Sequence, residues 1–193
     1  MIAVYAAAGL LVLALVYTVG TYNALVRLRQ HVRESWAAID TELRRRYDLI
    51  PNLVETVKGY AVHERETLQA VVEARARAVA STGSPQQQAR DENFLIGSLR
   101  QLFAVVEAYP ELKADRNFLQ LQEELTVTED RLQAARRFYN ANVRELNTRV
   151  QVFPSNLVAG LFGFRPQAFF EIDDAQRAVP RVRFVGGGPQ APE

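Results

Sequence analysis

An uncharged and almost wholly apolar run at the start of the chain constrains its fold more than any other feature. The first 26 residues contain no Asp, Glu, Lys or Arg, and the residues from Ile2 to Val19 are nearly all apolar. Eighteen helical residues rise about 27 Å, close to the roughly 30 Å hydrocarbon core of a bilayer. The run therefore predicts a transmembrane helix that ends at Ile2 and Val19, within an anchor domain of residues 1–21.

A buried core helix and a cleaved signal peptide both fit this run less well than a membrane anchor does. A core helix would usually show a polar face, which this run lacks. A secretory signal peptide needs basic residues before the apolar stretch and a small-residue cleavage site. The first basic side chain is Arg27, and the exit VYTVGTYNAL contains no A-x-A pattern. Because the chain has no Cys, a lipid-modified cysteine is also excluded. We therefore expect an uncleaved anchor.

Basic residues that follow the run predict how the anchor is oriented. Arg27, Arg29 and Arg33 come soon after it, and Arg44–Arg46 follow. Basic flanks of membrane helices tend to lie on the cytoplasmic side. We expect a single-pass protein with a short N-terminus outside and the C-terminal bulk in the cytoplasm. The Arg44–Arg46 run itself is expected on a solvated helix face.

Composition excludes several classes of function. Beyond the anchor about 170 residues remain, which suits one domain, and the whole chain carries 23 basic against 22 acidic residues. A nucleic-acid-binding protein would usually show a basic surplus or a basic patch with aromatic residues, so no nucleic acid partner is expected. The absence of Cys excludes disulfides, thiolate metal sites and cysteine nucleophiles.

Apolar residues spaced three or four apart predict four amphipathic helices after the anchor. The first carries a stripe from Leu25 to Ile50, where Pro51 interrupts it. Since proline lacks an N–H and opposes the carbonyl four residues back, we expect a break there, with Asp48 capping a second helix. Short connections, including the Ser-Thr-Gly-Ser-Pro loop at 81–85, separate the later helices. The four predicted helices cover residues 25–50, 52–80, 88–109 and 114–152.

These patterns predict an all-α fold in which the transmembrane helix is followed by an antiparallel four-helix bundle. Each apolar stripe must be buried, and short loops reverse the chain direction. We expect the bundle domain to cover residues 22–170. Residues 171–193, which include a brief alternation at 181–185 and three glycines at 186–188, are expected to form a mostly disordered tail.

The motifs that would carry catalysis or metal binding are incomplete. His63-Glu64 begins like the helical motif of zinc proteases, but Thr67 occupies the position of the second ligand histidine. No G-x-S-x-G elbow is present, and the Glu-x-x-His pairs of di-iron bundles are missing. We therefore predict no catalytic residue, no metal ligand and no cofactor.

Polar residues along the last predicted helix, some of them inside its apolar stripe, have two interpretations. The first is a structural polar core whose hydrogen bonds fix the register of the helices. The second is a small-ligand site or an active site inside the bundle, which would need a concave pocket with unpaired groups. The residues concerned are Glu124, Thr128, Arg136, Tyr139 and Asn142.

A short apolar segment after the last helix is the best candidate for an interaction surface. The segment LVAGLFGF covers residues 157–164 and is rich in Phe and Gly. It could close one end of the bundle, enter a membrane interface, or contact a partner. The side chains expected to make such contacts are Leu157, Leu161, Phe162 and Phe164.

Several separate blocks of the sequence resemble the LemA family of bacterial membrane proteins. The resemblance extends over about residues 22–170, with the blocks in the expected order. It is carried by RRYDLIPNLVETVKGYAVHE (45–64), EAYPELKA (107–114), ARRFYNANV (135–143) and LVAGLFGF (157–164). The resemblance implies a single-pass anchor in the bacterial cytoplasmic (inner) membrane, a short extracytoplasmic N-terminus and a cytoplasmic helical domain. It implies no established catalytic residues, and some relatives are associated with membrane organisation, including magnetosome membranes.

The predicted function is that of a non-enzymatic scaffold or adaptor at the cytoplasmic membrane, with a role in membrane organisation. Its expected partners are the membrane and an unidentified protein, and a homo-oligomer is left open. One alternative is a ligand-binding or enzymatic bundle that uses the polar residues of the last helix. The other is a signalling input module, because the helix that leaves the membrane could relay a change in the anchor.

Overall fold

The computed structural model describes residues 1–172. Residues 2–161 form α-helices joined by short turns, a non-helical segment follows, and no strand occurs among the described residues. The predicted all-α class is therefore confirmed. The last two long helices agree with their predicted bounds within three residues, since the stripes that define them are regular. The helices are α1 (Ile2–Tyr60), α2 (Arg65–Ala80), α3 (Pro85–Val106), α4 (Pro110–Lys113), α5 (Arg116–Gln151) and α6 (Ser155–Leu161).

Helix α1 contains the whole apolar run and continues far beyond it. Its 59 residues correspond to a length of about 90 Å. Within residues 1–172 it is the one helix long and apolar enough to cross a membrane. The large side chains of the run, such as Leu11 and Leu15, are exposed, so no part of residues 1–172 covers them.

The predicted break at Pro51 is wrong, because α1 passes through this residue without ending. A proline inside a helix leaves the carbonyl four residues back without its helical donor. Here that carbonyl belongs to Tyr47, and it accepts a hydrogen bond from Nε of Arg75 in α2 at 2.6 Å. The side chain thus replaces the missing backbone donor, which explains why the helix tolerates the proline.

The helix predicted for residues 52–80 is instead divided at residues 61–64. Helix α1 ends at Tyr60, just after Gly59, a residue of low helix propensity. A turn follows in which the Glu64 N–H donates to the Ala61 carbonyl at 3.1 Å, and α2 begins at Arg65. The apolar stripe skips from Ala61 to Leu68, which is the local signal for this break.

The described chain divides into two compact units, and the long helices α1 and α5 each contribute to both. The first unit consists of Met1–Arg45, Gly83–Gln86 and Thr128–Glu171. The second consists of Arg46–Thr82, Gln87–Val127 and the described residue Ile172. A single domain over residues 22–170 and the antiparallel four-helix arrangement stay predictions.

Each unit has its own apolar core. The core of the first unit contains Leu25, Val32, Ile39, Leu132, Val143 and Leu146, all 6% exposed or less. In the second unit the rings of Phe103 and Phe118 meet edge to face at 6.2 Å. Further buried residues of the second unit are Ile50, Leu53, Val57, Val71, Leu95 and Leu102.

The N-terminus of α5 is capped by Asp115. Its Oδ1 accepts a hydrogen bond from the Phe118 N–H at 2.9 Å, and its Oδ2 accepts one from the Tyr60 hydroxyl at 3.0 Å. The backbone donor and then this hydroxyl hold the pKa of Asp115 below its usual value. The cap explains why α5 starts where it does. At the other end of the chain, the predicted disordered tail lies outside the described residues from 173 onward.

Candidate functional site

Large apolar side chains at and after the end of α5 are exposed in the first unit. Leu157 and Leu161 lie one helical turn apart on α6 and are 64% and 76% exposed. Phe153 in the preceding turn is 74% exposed, and Phe162 after α6 is about half exposed. We call Phe153, Leu157, Leu161 and Phe162 the α6 patch. An exposed cluster of this kind commonly marks an interaction site.

Aromatic contacts hold the α6 patch against helix α1. The ring of Tyr22 lies 4.8 Å from the ring of Phe162 and 5.8 Å from that of Phe164. Phe164 itself is buried, and the Arg29 guanidinium lies over its ring, 5.0 Å from the centroid. Of the four predicted contact residues, three are therefore exposed, whereas Phe164 is buried and contacts Tyr22 and Arg29.

Helix α6 ends in a defined C-terminal cap that positions the two phenylalanines. Gly163 has a φ of +69°, in the left-handed region that favours glycine. The Phe164 N–H donates to the Ala159 carbonyl at 2.9 Å, and the Gly163 N–H donates to the Gly160 carbonyl at 3.3 Å. This pair of bonds is the Schellman motif. The cap turns the chain back so that Phe162 and Phe164 both reach Tyr22.

Two asparagines of α5 bind the non-helical segment that follows α6. The Asn147 amide accepts from the Gln167 N–H at 2.7 Å and donates to the Gln167 carbonyl at 2.9 Å. In the same way Asn140 accepts from the Phe170 N–H at 3.0 Å and donates to its carbonyl at 3.1 Å. Each side chain thus pairs with both backbone groups of one residue. We call Asn140 and Asn147 the asparagine clamp.

An aromatic cluster packs beside the asparagine clamp. The Trp36 ring lies 5.2 Å from the Tyr139 ring and 5.4 Å from the Phe170 ring, the latter edge to face. The Tyr139 hydroxyl donates to the Ala168 carbonyl at 2.9 Å. Burial raises the pKa of Tyr139 to about 12. This cluster fixes the segment after α6 on the first unit, and with it the α6 patch.

The five polar residues predicted as a structural core do not converge on one site. Thr128, Arg136 and Tyr139 are buried in the first unit, whereas Asn142 is half-buried and donates to the His31 carbonyl at 3.4 Å. Glu124 belongs to the second unit, is half-buried and accepts from Gln120 at 3.0 Å. Burial lowers the pKa of Arg136, while the charge of Glu129 acts in the opposite direction.

An open groove of about 430 Å³ lies in the second unit between α1 and α5. Glu124 lines it, but Arg136 and Tyr139 do not, so the groove is not the pocket that the ligand-binding alternative needs. Its lining is mainly polar. The residues around it are Leu49, Asn52, Glu55, Thr56, Asn117, Gln120, Leu121 and Glu124.

The second unit contains a buried charged cluster that the sequence patterns do not predict. The expectation that Arg46 lies on a solvated face is wrong: its side chain is 3% exposed, and its Nη2 donates to Oε2 of Glu92, which is fully buried. The Tyr47 hydroxyl donates to Oε1 of Glu92, and Gln88 donates to the Tyr47 hydroxyl at 3.2 Å. We call Arg46, Tyr47, Gln88 and Glu92 the Arg46 cluster.

The expected solvated face is correct only for the first two arginines of the Arg44–Arg46 run, which are exposed. Arg46 lies next to Tyr47 on the buried face of α1, so its side chain points inward. Glu92 likewise extends the stripe of α3, three residues before Leu95. A charge at a stripe position is the one signal of this cluster in the sequence. Burial raises the pKa of Tyr47, and the charge of Glu92 acts in the same direction.

The incomplete zinc-protease motif His63-Glu64 lies in the turn between α1 and α2. His63 is exposed, and Glu64 accepts a hydrogen bond from the Tyr109 hydroxyl at 3.2 Å. Within residues 1–172, no group of three or more His, Cys, Asp or Glu residues is arranged to hold a metal ion.

Comparisons with known proteins agree with the sequence resemblance. The family model described as the LemA family matches residues 35–184. Protein LemA of Metamycoplasma hominis is 26% identical over 162 residues, covering 82% of this chain and 73% of that protein. Magnetosome protein MamQ 2 of Paramagnetospirillum magneticum is 24% identical over 175 residues, covering 78% of this chain. Magnetosome protein MamQ of Magnetospirillum gryphiswaldense is 24% identical over 174 residues and 77% of this chain. The chain spans 64% of the length of either magnetosome relative.

Proposed function

We propose that this chain, which belongs to the LemA family, is a single-pass scaffold that holds a protein partner at the inner face of a bacterial cytoplasmic membrane. One observation carries the proposal: α1 is a single helix that begins as an exposed apolar run and continues into packed residues such as Leu25, Ile39 and Ile50, which are 1% exposed or less. Such a helix joins a membrane-spanning length to a water-soluble part without an intervening linker.

The apolar run suits a lipid environment along its whole length. A helix satisfies its own backbone hydrogen bonds, which lipid cannot do. The hydroxyl of Thr18 within the run is also satisfied, since it donates to the Ala14 carbonyl at 2.7 Å. Tyr17 and Tyr22 stand at the end of the run, where aromatic side chains favour the membrane surface. The run therefore supports an anchor better than an exposed helix in water.

The short distance between the anchor and the first packed residue supports tethering at a restricted angle. Val19 ends the apolar run, and Leu25, which is 1% exposed, already belongs to the core of the first unit. Six helical residues between them correspond to about 9 Å. The first unit should therefore lie close to the bilayer, where a tethered partner would have a raised local concentration.

Charges near the anchor support a cytoplasmic orientation. Arg27 and Arg33 are exposed on α1 within about 20 Å of Val19. Basic groups so close to a span favour the cytoplasmic side. We accordingly place the N-terminus outside and the two units inside.

Contacts within the first unit support the antiparallel part of the proposed four-helix arrangement. Trp36 packs against Tyr139, while the earlier residue His31 receives a hydrogen bond from the later residue Asn142. Residue numbers therefore rise in opposite directions along α1 and α5. We extend this arrangement to α2 and α3 as part of the proposal.

A role in membrane organisation is proposed from the names of the magnetosome relatives. Their match covers more than three quarters of this chain, although the chain spans less than two thirds of their length. The names of these proteins and of Protein LemA state no enzymatic activity. We propose that this chain contributes to the organisation of its membrane by holding a partner there.

Proximity labelling in native cells tests the scaffold directly. A labelling enzyme is fused to the full chain, and the neighbours are compared with those of a Leu11→Arg/Leu15→Arg variant. Each arginine near the centre of a membrane helix opposes insertion by about 2.5–3.5 kcal/mol. We expect a reproducible set of cytoplasmic protein neighbours that the variant loses. The proposal would be contradicted if the variant labelled the same neighbours, or if all labelled neighbours lay on the outer face of the membrane.

A further inference from the structure

We infer that the α6 patch inserts into the lipid interface beside the anchor, as a second membrane contact of the same chain. The inference rests on the proposed anchoring by α1, and it names the surface of the first unit that faces the bilayer. The occupant of the patch is therefore lipid, at the boundary between headgroups and acyl chains.

The position of the α6 patch relative to the anchor carries the inference. Tyr22 lies three residues beyond Val19, which is about 4.5 Å along α1. The ring of Phe162 is 4.8 Å from that of Tyr22. If the hydrocarbon core ends near Val19, Phe162 lies at the level of the membrane surface. Leu157 and Leu161 lie in α6, which ends directly before Phe162.

The chemistry of the patch suits an interface. Residues 150–164 contain no charged side chain, whereas the residues on either side, Arg149 and Arg165, are both basic and exposed. Apolar side chains flanked by basic ones are typical of segments that lie in a membrane interface. Arg149 and Arg165 would then reach the headgroup phosphates.

The exposed faces argue against the simpler view that the segment only closes one end of the first unit. Val158 and Ala159 of α6 are buried and perform that packing. Leu157 and Leu161 point away from it and are 64% and 76% exposed. No residue among 1–172 covers them. Packing within the described chain therefore explains the buried side of α6 but not its exposed apolar side.

Because the chain contains no Cys, a single introduced cysteine can report its depth in a bilayer. The full chain carrying Leu161→Cys is labelled with the environment-sensitive dye NBD and reconstituted in phosphatidylcholine–phosphatidylglycerol vesicles. Brominated acyl chains then quench dye that contacts the hydrocarbon. Leu11→Cys reports the anchor, and Ala134→Cys, exposed on α5 about 25 Å before Gln151, reports the aqueous part.

We expect the dyes at residues 11 and 161 to lose emission to bromine, while the dye at 134 does not. Bromine about 5–10 Å below the headgroups should quench residue 161 most strongly. Quenching at residue 11 alone overturns the inference and leaves the anchor intact. Quenching at none of the three overturns the anchor and the inference together. A blue shift of the dye emission at residue 161 without bromine quenching would show that protein, not lipid, covers this residue. That result would also overturn the inference.

A polar variant tests the patch as a unit. The dye is placed at Phe153→Cys, and Leu157→Gln and Leu161→Gln are then introduced together. Leu157 and Leu161 are already exposed, so their replacement removes apolar contact with lipid, and the dye should lose its bromine quenching. Phe138→Gln is the matched control, because Phe138 is 61% exposed in the same unit but lies far from α6 along α5. Equal quenching in the polar variant and the control would contradict a lipid contact by this patch.

Discussion

Replacement of Glu92 by Gln tests the Arg46 cluster with almost no change of shape. Glu92 is fully buried and accepts hydrogen bonds from Arg46 and from the Tyr47 hydroxyl. Removal of one charge from a buried ion pair typically destabilises a protein by about 3–5 kcal/mol, because the other charge stays in a poorly solvated place. With total stabilities of about 5–15 kcal/mol, this is a large fraction. We expect Glu92→Gln to lower the free energy of unfolding by about 3–5 kcal/mol.

Urea unfolding of the full chain in detergent micelles, followed by circular dichroism, measures this loss. Arg44→Met serves as the matched control, because Arg44 pairs with Asp40 at 3.0 Å but both side chains are at least half exposed. An exposed pair four residues apart on a helix contributes only about 0.3–0.5 kcal/mol. A Glu92→Gln loss as small as that of the control would refute the reasoning.

A double variant separates charge from packing in the same cluster. Arg46→Met with Glu92→Leu removes both buried charges, and apolar replacement of a whole buried pair is often neutral or stabilising. We therefore expect the double variant to be more stable than Glu92→Gln alone. If it is the less stable of the two, the cluster owes its contribution to geometry that methionine and leucine do not reproduce.

Three other changes test the asparagine clamp, the aromatic cluster and the tolerance of the helix for proline. Asn147→Ala removes two hydrogen bonds to the segment after α6 and should cost about 2 kcal/mol of unfolding free energy in the urea assay; unchanged stability would contradict the clamp. The pKa of Tyr139 is raised by burial from 10.0 to about 12, so the unfolded chain releases the phenolic proton first and stability falls as pH rises through this window. Across this pH window the urea midpoint should fall less steeply with pH for Tyr139→Phe than for the unaltered chain. Equal slopes for the two proteins would count against a buried Tyr139 hydroxyl. Arg75→Gln should destabilise the unaltered chain more than it destabilises a Pro51→Ala variant, in which the Tyr47 carbonyl regains a helical donor. Equal losses of stability in this double-mutant cycle would refute the replacement of that donor by Arg75.

Helix positions were predictable from the sequence where one local pattern determined them. The stripe of α5 continues without a gap from Phe118 to Leu146, so its bounds followed closely. The exposed apolar run at the start of α1 was equally clear, because its composition alone distinguishes it from the rest of the chain. Both signals depend on neighbours within a few turns, which a sequence displays directly.

Features that depend on distant residues were not predictable in this way. The continuation of α1 through Pro51 depends on Arg75, which lies on another helix, and the burial of Arg46 depends on Glu92, 46 residues later. Asn140 and Asn147 have backbone partners that lie 20 to 30 residues further along the chain. A local pattern treats such side chains as solvated, because it contains no information on what faces them.

The candidate site was predictable in part, for the same physical reason. Composition identified residues 157–164 as an apolar segment, and three of its four named side chains are exposed. It did not show that Phe164 is buried or that Tyr22 contacts both phenylalanines, since those contacts span about 140 residues. The contact with Tyr22 places the α6 patch beside the end of the apolar run.

Thiol accessibility in intact cells is the measurement that tests the proposed anchor and its orientation most directly. The full chain is expressed with Leu11→Cys or Ala134→Cys and treated with a membrane-impermeant maleimide. We predict no labelling at either position in intact cells. Residue 134 should become labelled when the cytoplasmic membrane is permeabilised, and residue 11 only when detergent dissolves the bilayer. Labelling of residue 11 in intact membranes would contradict the anchor, and labelling of residue 134 from outside would contradict the orientation.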